Sequence, residues 1–248
     1  MSLETDVANL VTKTTALLDY FGSKKAGIEA AVSAAIAAIP TGNRTWFVNQ
    51  LTGLDTNDGN TAAKPFKTID KALASTPVGG ICIAQLQADY VMSDSITVQG
   101  RVLFLQSDVT DTVQRKLTSG YALSPSGLSS LLHGIFGWGG ATILLRDIEL
   151  VLPSAIGLNP TPSRSNNSFF RTLDLGASPI LPIKMSNCKV TDTAGATACM
   201  ATISYTAVMF EVYQTTFPSE MAGRYFAGVA AGASPNTVSN VMTNLSTL

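Results

Sequence analysis

The spacing of apolar residues changes character along the chain. Leu3, Val7, Leu10, Thr14, Leu17 and Phe21 fall at alternating steps of four and three, the spacing of a coiled-coil seam. This predicts a helix over 3–21. The Gly22-Ser-Lys-Lys-Ala-Gly27 stretch reads as an interruption, after which Ile28, Val32, Ile36 and Ile39 continue on one face of an alanine-rich helix that Pro40 and Gly42 stop. From Arg44 the pattern becomes a strand, Thr45-Trp-Phe-Val48. A turn-rich loop, 51–60, follows, then a short helix from Pro65 whose Phe66, Ile69 and Leu73 form one apolar face.

The remainder shows a recurring two-strand pattern. The windows 102–109, 143–150, 183–190 and 210–217 align with apolar residues in fourteen of the sixteen cells at positions 1, 3, 6 and 8, Ser107 and Thr215 at position 6 being the exceptions, and their starts lie 41, 40 and 27 residues apart. Two strands of period two joined at a bend produce this spacing, because the bend inserts one extra position between inward-facing side chains. The bend column holds Gln106, Asp147, Asn187 and Gln214, and Asn and Asp tolerate left-handed backbone better than other non-glycine residues. The expected fold is mainly β: a single-stranded right-handed parallel β-helix preceded by an N-terminal α-helical, coiled-coil-like stem. The long polar inserts, 110–141 and 153–168, are expected as side loops or subunit contacts. The expected organisation is a helical stem over 1–42, a leading strand and cap over 43–80, the β-helix over 81–217 and a C-terminal cap or subunit-contact segment over 218–248.

Composition narrows the partners. Charged residues make up 13% of the 248, and 16 Lys+Arg against 17 Asp+Glu leave a net charge of -1. That balance gives no basic field for a phosphate backbone, so nucleic acid is not an expected partner. A surface so poor in charge is covered by small polar residues or by other copies of the chain. Cys82, Cys188 and Cys199 form no CxxC pair and read as reduced core residues, with no metal site and no cofactor expected. No segment is apolar for long enough to insert in a membrane. The first residues lack the features of an export signal, so assembly in the cytoplasm is expected.

The segments Thr45-Trp-Phe-Val-Asn-Gln50, Asp55-Thr-Asn-Asp-Gly-Asn-Thr61, Lys64-Pro-Phe-Lys-Thr-Ile-Asp-Lys-Ala-Leu73 and Pro77-Val-Gly-Gly-Ile81 together resemble the opening of pectin-lyase-like right-handed β-helices. The preceding Leu17-Leu-Asp19 and 24–32 look like the start of many tail fibre and tailspike proteins of tailed bacteriophages. The resemblance implies a homotrimer whose N-terminal part joins other phage tail or baseplate proteins. It also implies a β-helix that meets a host surface, including host surface polysaccharide, with the virion as location.

Candidate chemistry is sparse. The outward column Asp108, Glu149, Lys189 and Thr216 brings Asp108 and Glu149 within one or two strand spacings if their strands are close neighbours, which brackets the carboxylate separations of glycosidases. A solvated charged face explains the same column. Phe136 and Trp138 are candidates for contact with sugar faces. His133 beside Ser129 and Ser130 lacks the nucleophile-elbow motif, and the Asp55 loop lacks the spacing and closing glutamate of a calcium loop. Leu3, Val7, Leu10, Leu17, Phe21, Ile28 and Val32 are expected to carry trimer and virion contacts by hydrophobic burial. The expected function is a structural tail fibre or short tailspike attached to a tail or baseplate, a reading that does not need catalysis. The alternative is a depolymerase, a glycoside hydrolase or lyase acting on capsule or lipopolysaccharide through Asp108 and Glu149.

Overall fold

The computed structural model of the protein describes residues 2–38, 42–110, 112–172 and 180–248. The chain divides into two compact units, Met1–Thr41 and Gly42–Leu248.

The first unit is one α-helix, α1 (Leu3–Ala38), 36 residues long. The expected interruption at Gly22 to Gly27 does not occur. Each glycine costs a helix about 1 kcal/mol relative to alanine, and Lys24, Lys25, Ala26 and the alanines beyond are strong helix formers that offset it. Lys25 and Glu29 add an i,i+4 pair at 3.8 Å. At the other end the Thr5 backbone N–H donates to the Ser2 carbonyl at 3.0 Å, and Glu4 and Asp6 oppose the positive end of the helix dipole. Ile39, expected on the apolar face, and Pro40, expected with Gly42 to stop the helix, lie outside the described residues, as does the side chain of Ile36.

In the second unit, β1 (Asn43–Val48) and the short helix α2 (Ile69–Ala74) precede repeated passes through three parallel sheets. The first pass is β2 (Ile81–Leu86), β3 (Tyr90–Val91) and β4 (Ile96–Gln99). The second is β5 (Val102–Ser107) and β6 (Arg115–Thr118), then an antiparallel hairpin of β7 (Tyr121–Leu123) and β8 (Ser130–Leu132), and β9 (Ile135–Trp138). The third is β10 (Thr142–Arg146), β11 (Ile148–Leu152) and β12 (Ser168–Arg171), and the fourth β13 (Ile180–Ser186), β14 (Lys189–Asp192) and β15 (Cys199–Ala201). Strands β16 (Ala207–Tyr213) and β17 (Val241–Thr243) complete the first sheet. Its order is β1-β2-β5-β10-β13-β16-β17; the second is β14-β11-β6-β3 and the third β15-β12-β9-β4.

The molecule is of α/β class, a long helix and parallel sheets. The expectation of a mainly β, pectin-lyase-like right-handed β-helix is corrected accordingly. The apolar windows specify that like strands pair in parallel, and parallel sheets carry the same inward period whatever the larger class. They were also blind to the third sheet. Residues 110–141 are not a side loop, because they supply β6 and β9.

The register shows which residues share a column. Ile143 lies opposite Ile183, and Ile183 opposite Phe210. On its other side Ile143 faces Leu103, one residue from the expected Val102. The slip has a local cause. Asp147, Asn187 and Gln214 adopt left-handed backbone, with φ of 54°, 51° and 47°, and turn a tight corner between sheets. Gln106 does not; there the chain runs through a loop to Arg115. Leu117, not Val109, then lies opposite Leu150, and Val109 is 63% exposed.

Leu103, Leu105, Ile143, Leu145, Ile183, Met185 and Phe210 are buried in the core that these columns form. Burying each such side chain is worth about 1.5–3 kcal/mol. At the first end, Phe66 and α2 bury Ile69, Ala72 and Leu73, and the Thr68 hydroxyl caps the helix by accepting from the Lys71 N–H at 3.1 Å. At the far end, Met221, Phe226 and Leu248 are buried, and Phe226 meets Phe210 edge-on at 5.8 Å. Residues 218–248 thus close the core after the last pass.

Candidate functional site

Two surfaces stand out, one in each unit. With α1 unbroken, the heptad started by Leu3, Val7, Leu10, Thr14, Leu17 and Phe21 runs on through Lys24, Ile28 and Ala31. Every described side chain of α1 is exposed, including Leu3, Leu10 and Ile28 at 80%, 66% and 64%. Thr14 turns its hydroxyl inward on the helix, donating to the Leu10 carbonyl at 2.8 Å, which removes a polar group from the seam. Val11, Leu18 and Val32 each follow a seam position by one residue and widen the apolar stripe to one side. The opposite face carries Thr5, Asn9, Thr12, Ala16, Asp19 and Ser23. Val32 belongs to this widening flank rather than to the seam itself.

The second surface lies on the outward side of the first sheet. A cleft of about 500 Å³ is lined by Phe104, Leu144, Arg146, Lys184, Asn187 and Tyr213, among others. Strand alternation puts these side chains outward while Leu103, Leu145 and Met185 point into the core. The corner column forms a polar ladder beside it: the Asn187 amide donates to Asp147 Oδ1 at 2.5 Å, and Gln114 donates to the Asn187 carbonyl at 2.6 Å. Arg146 Nε sits 3.2 Å from Asp147 Oδ2, and Lys184 Nζ 2.7 Å from Glu211 Oε1. Each of these two carboxylates faces a cation. The cleft therefore presents ion-paired, amide and aromatic groups to whatever meets it.

The two carboxylates considered for catalysis do not share a column. Glu149 pairs across the second sheet with Lys116 on one side and Lys189 on the other, and Lys189 Nζ approaches Glu149 Oε1 at 3.4 Å. Asp108 is buried before the loop to β6, accepting from the Thr110 N–H and hydroxyl at 3.0 and 2.8 Å. Phe136 and Trp138 are half-buried on β9. The single histidine, His133, is buried with Nδ1 2.9 Å from the Met92 carbonyl, and Ser130 donates to the Pro160 carbonyl at 2.6 Å, so no serine–histidine pair forms. The Asp55 carboxylate accepts from the Lys67 and Thr68 N–H groups and the Thr68 hydroxyl, at 2.9 to 3.0 Å, and holds the loop against α2. Among the described residues no group of His, Cys, Asp and Glu could hold a metal ion. No described helix is long and apolar enough to cross a membrane.

Two features escaped the reading of the sequence. The outward positions of the windows were legible from strand alternation but were not assembled into a cleft. Arg171, buried on β12, lay in a strand that no window covered.

No family model matches the chain, and no curated protein does. Among solved structures, a GH136 lacto-N-biosidase from Eubacterium ramulus, as its selenomethionine derivative, is similar at 13% identity and a TM-score of 0.40 over 81% of this chain and 33% of that one. Its native form gives 14% identity and a TM-score of 0.38 over 82% and 33%. A rhamnogalacturonan lyase gives 9% identity and a TM-score of 0.37, covering 82% of this chain and 65% of that one. The chain spans about one third of the length of the biosidase. Likeness at this level carries no argument about activity. None of these three structures is a phage tail or virion protein, and the terms bacteriophage, baseplate and tailspike that the sequence resemblance brought with it find no support in the comparisons.

Proposed function

We propose that the chain is a structural, self-associating protein whose α1 helices bundle in threes and attach it to a larger assembly, in the manner of a tail fibre or short spike. One observation carries this reading: an unbroken helix with its apolar seam wholly exposed. A contiguous apolar face of this kind marks an association surface. The number of copies follows from the width of the stripe. Val7 and Ile28 at one seam position, with Leu3, Leu10 and Leu17 at the other, would alone suit a two-stranded coil. Val11, Leu18 and Val32 extend the stripe beyond what one partner helix covers, and a third helix buries them.

Cysteine cross-linking tests the proposal. Leu17→Cys in the intact chain forms interchain disulfides under mild oxidation, and Ser23→Cys, on the opposite face, does not. Equal cross-linking at both positions, or none at Leu17→Cys, refutes the seam.

A further inference from the structure

We propose that Arg171 anchors a binding site for a small monoanion with a carboxylate head. Arg171, at the end of β12, is 3% exposed. Its protein partners are all neutral: Nη1 donates to the Asn166 carbonyl at 2.7 Å, and Nη2 to the Ser95 hydroxyl at 3.1 Å and to the Leu132 carbonyl. Its plane lies over the Phe136 ring, 4.3 Å from the centroid. No described carboxylate pairs with it. Arg224, which is only half-buried, is by contrast held by both oxygens of Asp192 at 2.8 and 3.0 Å. Arg171 Nε is buried and has no hydrogen-bond partner, a state that Arg224 Nε shares, so what sets Arg171 apart is its want of a described carboxylate.

An uncompensated buried cation costs several kcal/mol, which a bound counter-ion would offset. Burial alone pushes the Arg171 guanidinium down to about 10, still far above neutrality, so the charge stays in place. Beside it opens a cleft of about 160 Å³, lined by Phe136, Ser165, Asn166, Thr172, Thr202 and Tyr205. Liquid water occupies about 30 Å³ per molecule, so the cleft has room for an anion of several heavy atoms. Among the described residues its wall is one cation with neutral hydroxyl and amide groups and no acid, which matches a single negative charge. Nη2 gives both its N–H groups to Ser95 and Leu132, so the donors left for a carboxylate are Nε–H and one Nη1 N–H, each able to make a short charge-assisted hydrogen bond.

The test uses the intact, nitrogen-15-labelled chain and sodium acetate as probe, with sodium chloride at equal ionic strength as control. The Arg171 Nε–H resonance is assigned by its loss in Arg171→Met. Acetate is expected to shift that resonance in a saturable way at concentrations that leave the other arginine signals in place, and to raise the Tm of the intact chain but not of Arg171→Met. Thr202→Val, which keeps the guanidinium and changes the wall, weakens the response and serves if Arg171→Met does not fold. An Arg171 Nε–H signal unmoved by acetate, an equal rise in Tm in Arg171→Met, or an unchanged response in Thr202→Val overturns the site.

Discussion

Phe226→Ala is the most informative perturbation of the folded core. Phe226 is fully buried, meets Phe210 edge-on at 5.8 Å, and forms a bridge from its own segment to Ala201 of β15. Phe210 in turn lies 6.5 Å from Phe170, so three rings from three parts of the chain meet at the far end. Truncating a buried phenylalanine costs about 3–5 kcal/mol, including the cavity it leaves. Edge-to-face pairing contributes about 0.5–1.5 kcal/mol of that. Because the segment 218–248 also buries Met221 and Leu248, fraying is resisted and the cost is expected near 3–4 kcal/mol. Urea unfolding followed by circular dichroism measures it as a fall in midpoint with an unchanged slope. A loss below about 1 kcal/mol would refute the view that residues 218–248 complete the core rather than lie on it.

Other outcomes follow from particular contacts. Asn187→Ala is expected to cost about 1 kcal/mol more than Asn187→Gly, because φ is 51° there; thermal melts of the pair check it. Glu149→Gln should change stability by less than about 1 kcal/mol, since its partner Lys189 is 53% exposed, and urea midpoints measure the difference. Burial pushes the Cys82 and Cys188 thiols up to about 11 from 9.0. The folded state therefore holds those protons more tightly than the unfolded one, and stability is full below about pH 9 and falls as pH rises towards 11. Thermal melts across that range should show the decline, and Cys82→Ala should flatten it; a steeper decline in the variant would contradict the assignment.

How much of this was legible in the sequence depended on whether local pattern or chain pairing decided the outcome. The seam of α1 was legible because four-three spacing is a property of one helix, whereas its continuity across Gly22 and Gly27 was not, because glycines there meet open space and cost little enough for their neighbours to offset. The corners at Asp147 and Asn187 were legible from residue type, since short polar side chains tolerate positive φ. The first window slipped by one at Val102 because Gln106 turns no such corner, and nothing local distinguishes it from Gln214, which does. The third sheet was missed because its short strands, such as β4 and β15, carry too few apolar positions to show a period. The fold class was misread for a related reason: inward columns report parallel pairing and are silent on how the chain is grouped into a class. For the site, Asp108 and Glu149 parted once the loop after β5 displaced the expected column, and Arg171 carried no signal until β12 placed it under Phe136's ring.

The claim on which the account rests is that the exposed seam of α1 joins three copies of the chain. Light scattering on the intact protein as it elutes from a sizing column measures this most directly. The account predicts a mass of three 25.9 kDa chains, reduced to one when Leu10 and Leu17 are both replaced by Asp. A single-chain mass for the unaltered protein, or a trimer that survives the double replacement, would contradict it.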